Sequence, residues 1–229
     1  KMVGMTFVGL DDWQVEKAEF DAGHCIIPAY REQGLSKAMF EFILPWLNDR
    51  RLSIFLLEVL QTNADALRAN KKTSNIPTRE FACYDLLQRD FIARKAGIDQ
   101  FEIRTIDKPM VQAFSTQVDW QPSWENSFAG MDRIEDKLIR LGAFKGEQCV
   151  GILVYYPLLQ WIMSLVVTQG YRRQGVASCL VTSLMSALAG KLPDGIDRVK
   201  IPNIDRRDSD MLAFFEKIGA VWVIDQYEM

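Results

Sequence analysis

Histidine is nearly missing: the 229 residues hold one, His24, which excludes a multi-histidine metal centre. Cysteine is sparse as well. The four present, Cys25, Cys83, Cys149 and Cys179, show no CxxC spacing and sit in apolar segments, the pattern of reduced thiols in a cytoplasmic protein rather than of a disulfide scaffold. No apolar run approaches the roughly 20 residues that cross a bilayer; the longest, residues 149–159, even includes a Gly and a Pro. No membrane partner is expected. A basic excess is also lacking, with 27 Lys and Arg against 30 Asp and Glu. The net charge of −3 argues against a general nucleic-acid binder and leaves room only for a local basic pocket. Low-complexity tracts are absent. The first residue is Lys1, and residues 2–9 alternate like a strand rather than a signal peptide, so further residues upstream are expected.

What the chain does contain is a phrase written twice. Ile26-Ile27-Pro28-Ala29-Tyr30-Arg31-Glu32-Gln33-Gly34-Leu35-Ser36 returns as Val167-Thr168-Gln169-Gly170-Tyr171-Arg172-Arg173-Gln174-Gly175-Val176-Ala177, with the two arginines 141 positions apart. Each copy follows an apolar β-branched run and precedes an amphipathic stretch, a strand–loop–helix device used twice. A repeat at this spacing is far longer than a solenoid period and points to two related domains.

The pattern predicts strands at 2–10 and 17–27 joined by a hairpin through Asp11-Asp12. A helix over 36–48 follows, with Met39, Phe42, Ile43, Trp46 and Leu47 on one apolar face and Pro45 as a kink or early end. Residues 53–60 read as a strand covered on both faces, 63–72 as a weak helix, 79–87 as a closing strand and 88–100 as a linker. The second half reads as strand 101–106, helices 108–117 and 128–141, and strands 142–145, 148–156 and 160–167. A helix to residue 189 carries Val176, Leu180, Leu184 and Leu188 as a stripe; a turn at 193–195, strand 199–204, helix 208–218 and strand 221–227 complete the chain. Cys149 and Cys179 read as small core residues. The expected class is α/β with two mixed-sheet domains, 1–95 and 96–229, the first lacking the opening elements of the second.

A loop of consecutive N–H groups opening onto a helix N-terminus, with Gly at the close approach and Arg beside it, suits a phosphate anion. Residues 172–177 offer this, without the Gly-Lys-Ser/Thr of a Walker loop or a Gly-x-Gly-x-x-Gly fingerprint. The pattern Arg-x-x-Gly-x-Gly/Ala after a strand resembles the coenzyme A signature of the GNAT N-acetyltransferases. Asn203, followed by Phe214-Phe215-Glu216-Lys217-Ile218-Gly219-Ala220, is similar to later segments of that family. So are Leu57-Glu58-Val59-Leu60-Gln61-Thr62-Asn63 and Thr78-Arg79-Glu80-Phe81 in the first half.

The resemblance implies acetyl-CoA as co-substrate and no metal. It implies that Val166 and Val167 lend strand backbone to the pantetheine arm beside Asn203 and Phe215, while Arg172, Arg173, Gln174, Gly175, Val176 and Ala177 form the pyrophosphate loop. A second possible site would use Cys25, Ile26, Arg31, Gln33, Gly34, Leu35, Ser36 and Asn63, with Ser36 where the signature has Gly or Ala. The family's tyrosine proton donor maps onto Phe215 and, in the first half, onto Asn70. Phe215 cannot donate a proton, so Tyr227, Tyr155, Tyr156 or water is expected to substitute, and Glu125 and Glu147 are candidate bases. His24 reads as a strand-end residue with a base as the alternative. Trp120 and Trp124 with Phe114 and Phe128 read as core or as an acceptor-pocket wall, and Arg206-Arg207 as a solvated pair or a contact for the 3′-phosphate.

The resulting expectation is N-acetyl transfer from acetyl-CoA to a small-molecule amine or peptide, by a cytoplasmic monomer or homodimer. The alternative is a catalytically silent coenzyme A-binding or regulatory protein. A further alternative gives the first domain a covering role that buries Trp46 or Trp13.

Overall fold

The computed structural model describes residues 1–13, 16–52, 54–73, 75–93, 100–191 and 197–229. The chain divides into two compact units, Lys1–Phe81 with Asp225–Met229, and Ala82–Ile224. The domain boundary read from sequence, between 95 and 96, and the turn at 193–195 lie outside the described residues. The last five residues belong in space to the first unit. Among the described residues no helix is long and apolar enough to cross a membrane.

In the first unit β1 (Gly4–Trp13) runs antiparallel to β2 (Glu16–Ile26), so strand pairing carries Asp11 and Asp12 past the hairpin turn expected there. A loop leads into α1 (Leu35–Asp49), and β3 (Ile54–Leu60) then lies parallel to β2. Asn63 caps α2 (Ala64–Lys71) by accepting from the Ala66 amide. The unit closes with the start of β4 (Arg79–Leu87) and the end of β10 (Val221–Glu228), which pairs antiparallel with β3.

The face expected on α1 is corrected. Four-residue steps turn Met39, Ile43 and Leu47 inward, and Phe40 meets Phe55 edge-on at 5.0 Å. Phe42 is left 85% exposed, and Trp46 is exposed with the Arg50 guanidinium 3.7 Å over its ring. Pro45 does not end the helix: it sits on the exposed side, where the carbonyl it orphans can reach water.

The second unit opens with β5 (Glu102–Thr105), α3 (Lys108–Ala113) and α4 (Phe128–Arg133). The antiparallel strands β6 (Ile139–Lys145), β7 (Gln148–Tyr156) and β8 (Trp161–Val167) follow. The helix expected over 128–141 is less than half its predicted length, because Ile139, Arg140 and Leu141 pair with Tyr155, Val154 and Leu153 of β7 and so join the sheet. Then come α5 (Val176–Leu188), β9 (Arg198–Asp205) and α6 (Ser209–Lys217). The first part of the expected linker is docked, with the Gln88 amide on Asp197 O at 2.8 Å and the Ile92 amide on Ile218 O at 2.9 Å.

The sheet of this unit is buried on both faces. Leu153, Leu165, Leu180, Leu184 and Phe215 form one layer beneath α5 and α6. Ile106, Val111, Phe114, Phe128, Ile152 and Val154 form the other beneath α3 and α4.

Strand register relates the two units residue by residue. Gly4 pairs with Ile26 and Met5 with Cys25; Gly151 pairs with Val167 and Ile152 with Val166. A Cβ on Gly4 would lie 3.0 Å from Cys25 O and 3.4 Å from Met39 Sδ, and one on Gly151 would lie 3.2 Å from Val166 O and 3.5 Å from Leu180 Cδ1. Both glycines thus let a strand pass close beneath a helix. The positions differ in what covers them: Ile152 and Val154 are 0% exposed, whereas their counterparts Met5 and Phe7 are 41% and 58% exposed. Ile152→Ala is accordingly expected to lower stability by about 2–5 kcal/mol and Met5→Ala by about 0.5 kcal/mol or less, as read by urea unfolding.

Glu19 on β2 is fully buried, and among the described residues neither carboxyl oxygen has a hydrogen-bond partner. Burial, with the Asp21 charge adding, pushes its pKa up to about 7. Between its ordinary value and about 7 the folded chain holds a proton that the unfolded chain releases, so stability is full below the ordinary value and falls as pH rises to 7. The melting temperature should drop from pH 5 to pH 8 in the wild type, and Glu19→Gln should flatten that dependence.

Candidate functional site

The second copy of the repeated phrase builds the site. Past β8 the chain makes one 3-10 turn, Gln169–Tyr171, closed by the Tyr171 amide on Thr168 O at 2.8 Å. Arg172 Nε donates to Val167 O at 3.1 Å and Gln174 Nε2 to Gly170 O at 2.9 Å, tying the loop to the strand it leaves. Arg173 and Gly175 take positive φ of 60° and 94°. Across that reversal, none of the amides of residues 173–177 has a hydrogen-bond acceptor among the described residues. No side chain caps α5, so its positive end and this run of donors point the same way.

The first copy has the same geometry. The Tyr30 amide donates to Ile27 O, Arg31 Nε to Ile26 O at 3.1 Å and Gln33 Nε2 to Ala29 O at 3.4 Å, with φ of 62° at Glu32 and 76° at Gly34. Gly34 begins α1 without a side-chain cap, and Leu35 and Ser36 follow as its first residues. Cys25 and His24 are exposed at the end of β2, and the side chain of Asn63 is engaged in capping α2.

In the second unit the loop borders a cavity of about 800 Å³. Its origin lies in β9. Parallel pairing with β8 is made at Trp161 and Lys200, and the next residues, Ile201-Pro202-Asn203, cannot continue it. Pro202 has no amide hydrogen, and Asn203 takes φ of 59°. Residues 162–167 and 201–205 therefore line the cavity instead of each other. The segment between α3 and α4 forms the opposite wall, held by Asn126 Nδ2 on Pro202 O at 3.0 Å and Asn203 Nδ2 on Ser123 Oγ at 3.2 Å.

All ten residues assigned to the main coenzyme site from sequence line this cavity: Val166, Val167, Asn203, Phe215 and the loop from Arg172 to Ala177. The proposed proton-transfer residues do not. Glu125 carries a carboxyl pushed up by burial but is not in the lining, and Glu147 is exposed beside Arg104. Tyr227 belongs to the first unit, packed on Leu57, Val59 and Met229. Tyr155 lies in the core, its phenol pushed up to about 12 by burial, and Tyr156 packs beneath α3 and α4. Asn70 sits in α2 of the first unit.

The two tryptophans separate: Trp120 lines the cavity and Trp124 is buried. Arg207 is chelated by Asp205 at 2.8 and 2.7 Å and lies 4.2 Å over Trp120, which engages the charge expected to be free for a phosphate. Residues missed from sequence, Asp119, Ser123 and Asn126, came from a segment in which the aromatics and Glu125 were the visible signals. Asp208 caps α6 through the Met211 amide at 3.0 Å; burial raises its carboxyl, Asp119 and Asp210 add to this, and Arg172 opposes it.

A split between parallel strands, bordered at one end by a glycine loop of unpaired amides and walled by the segment between α3 and α4, makes a cleft suited to an extended ligand with an anionic end. Comparison with known proteins places the chain that carries it in a family. The model of the "Acetyltransferase (GNAT) family" matches residues 101–220, more than half of the chain, and the protein belongs to that family. No curated protein shows significant sequence similarity. Among solved structures, a GCN5-related N-acetyltransferase from Sphaerobacter thermophilus superposes with a TM-score of 0.71 at 14% identity, over 97% of this chain and 75% of that one. A tandem GNAT protein from the clavulanic acid biosynthesis pathway gives 0.72 at 13% identity, over 99% and 77%. A putative acetyltransferase from Pyrococcus horikoshii gives 0.64 at 15%, over 99% and 69%. At these identities the structural likeness speaks for the fold alone.

Proposed function

We propose that the second unit binds acetyl-CoA and transfers its acetyl group to an amine, supplied by a small molecule or a peptide. The observation that carries this reading is the run of unpaired amides at 173–177, opening onto α5 at the edge of the cavity. Those amides fit a pyrophosphate, and Val166 and Val167 with Asn203 fit the amide-bearing arm. Bound acetyl-CoA supplies an activated thioester. The chain's own contribution is to hold the arm straight between β8 and β9 and to confine the acceptor against Trp120 and Pro122.

The placement of the ionisable side chains supports a second reading, a silent coenzyme-binding protein. Phe215 offers no proton, and Glu125 and Tyr227 stand outside the lining. The test is calorimetric titration with acetyl-CoA followed by thiol release over an amine panel. Heat with release supports transfer, heat without release supports the silent reading, and no heat removes both.

The repeated loop geometry and the shared order strand–strand–loop–helix–strand–helix support a tandem arrangement of two GNAT-like domains, 1–95 and 96–229, in a cytoplasmic monomer or homodimer. In this arrangement the loop around Gly34 is a second candidate coenzyme site.

A further inference from the structure

Along the split, residues 162–167 and 201–204 line the cavity with apolar side chains, Ser164 and Asn203 apart. The charges stand beyond it. Among the described residues the lining holds the cations Arg172, Arg173 and Lys217 and the carboxyl groups of Asp119, Asp205, Asp208 and Asp210. With the arm in the split and the pyrophosphate on the loop, the nucleoside end of a coenzyme faces this charged rim.

Both arginines of the rim are engaged. Asp119 Oδ2 lies 2.7 Å from Arg172 Nη1, and Asp210 Oδ1 lies 2.9 Å from Arg173 Nη2. Arg207 stands outside the lining and is held by Asp205 through two hydrogen bonds. The positive end of α6, the other seat for a phosphate near the loop, is closed by the Asp208 carboxyl on the Met211 amide, with Asp210 in the same first turn. Carboxylates outweigh cations here. Burial raises the Asp208 carboxyl, and Asp119 and Asp210 raise it further against the pull of Arg172. Lys217 has no carboxylate partner among the described residues, but it is a single exposed cation at the far end of α6.

These ion pairs are not needed to shape the loop. In the first unit Arg31 bonds to its strand carbonyl as Arg172 does, with no carboxylate partner among the described residues, and Glu32 takes the place of Arg173 at nearly the same φ, 62° against 60°. The acids of the rim therefore set its charge rather than its fold. A second dianion placed there gains an arginine only by parting it from its aspartate, which exchanges one solvated ion pair for another and leaves a carboxylate facing the phosphate. We infer that the cleft reads its acyl donor from the thioester to the pyrophosphate and is indifferent to the 3′-phosphate of coenzyme A. The donor class is then pantetheine thioesters that end in a diphosphate ester, with or without a phosphate on the ribose. This rests on the coenzyme reading above and adds what the site does not select.

The test is calorimetric titration with coenzyme A and with dephospho-coenzyme A, which lacks only the 3′-phosphate, for wild type, Asp210→Asn and Asp210→Glu at low and high salt. In the wild type the two dissociation constants should agree within about twofold, and added salt should weaken both by the same factor. Asp210→Asn releases Arg173, so this variant should come to prefer coenzyme A by about threefold, the scale of an exposed ion pair. Asp210→Glu keeps the charge and should stay indifferent. A larger wild-type preference for coenzyme A, or a steeper salt dependence for it, would show that the 3′-phosphate meets a cation and overturn the inference. An Asp210→Asn variant without preference would overturn it as well, because the ion pair would not be what silences Arg173. A wild type that binds neither ligand would instead remove the coenzyme reading, a distinct result.

Discussion

Gly175→Trp is expected to abolish detectable acetyl-CoA binding, a loss of more than about 100-fold, with Gly34→Trp as its matched partner in the first unit. Gly175 holds φ at 94°, a conformation that costs an L-residue about 1–2 kcal/mol, and it stands in the middle of the run of amides, where a bulky side chain is expected to crowd a bound anion. Hydrogen bonds from such amides to an ionised phosphate are worth about 1.5–3 kcal/mol each, so displacing two of them accounts for at least two decades of affinity. Calorimetry separates the possible sites. Heat lost in Gly175→Trp and kept in Gly34→Trp assigns binding to the second unit; the reverse assigns it to the first. Binding that survives Gly175→Trp, with the fold intact by circular dichroism, would remove the loop from the site.

The loop was legible because its function is local. Tyr-Arg-x-Gln-Gly specifies a turn, two side-chain-to-backbone ties and a glycine with positive φ within a few residues, and both copies fold identically in those respects. Strands and helices with strong periodicity were legible for the same reason: Val176, Leu180, Leu184 and Leu188 all face the core. Features set by distant partners were not. Residues 139–141 read as helix until β7 claims them, and Phe42 reads as core on α1 although the helix turns it to solvent. The acceptor wall was the least legible part. Asp119 acquires meaning only from Arg172, and Asn126 from the carbonyl of Pro202, contacts that no spacing encodes. Glu125, adjacent in sequence and chemically more suggestive, is not part of the lining.

The same limit explains the last residues, where a large effect on stability is expected. Read along the chain, residues 225–229 finish the second domain, yet in space they belong to the first unit. Leu57 and Met229 exchange backbone hydrogen bonds at 3.1 and 3.0 Å, and the Thr78 amide donates to Glu228 O at 2.7 Å. The Glu228 carboxylate is buried at this junction and receives Arg79 Nε at 2.8 Å, Arg79 Nη2 at 2.6 Å and Thr78 Oγ1 at 3.2 Å. Arg79 in turn lies 4.8 Å over the Phe81 ring. Removing one member of such a pair strands the other charge away from water, which costs about 3–5 kcal/mol, whereas replacing both with well-packed apolar residues is often neutral or stabilising. Glu228→Ala should therefore lower stability by about 3–5 kcal/mol in urea unfolding, and the double variant Arg79→Met with Glu228→Leu should recover most of it. A single variant costing less than about 1 kcal/mol would mean that water reaches the pair, and that the ion pair does not hold the end of β10 in the first unit.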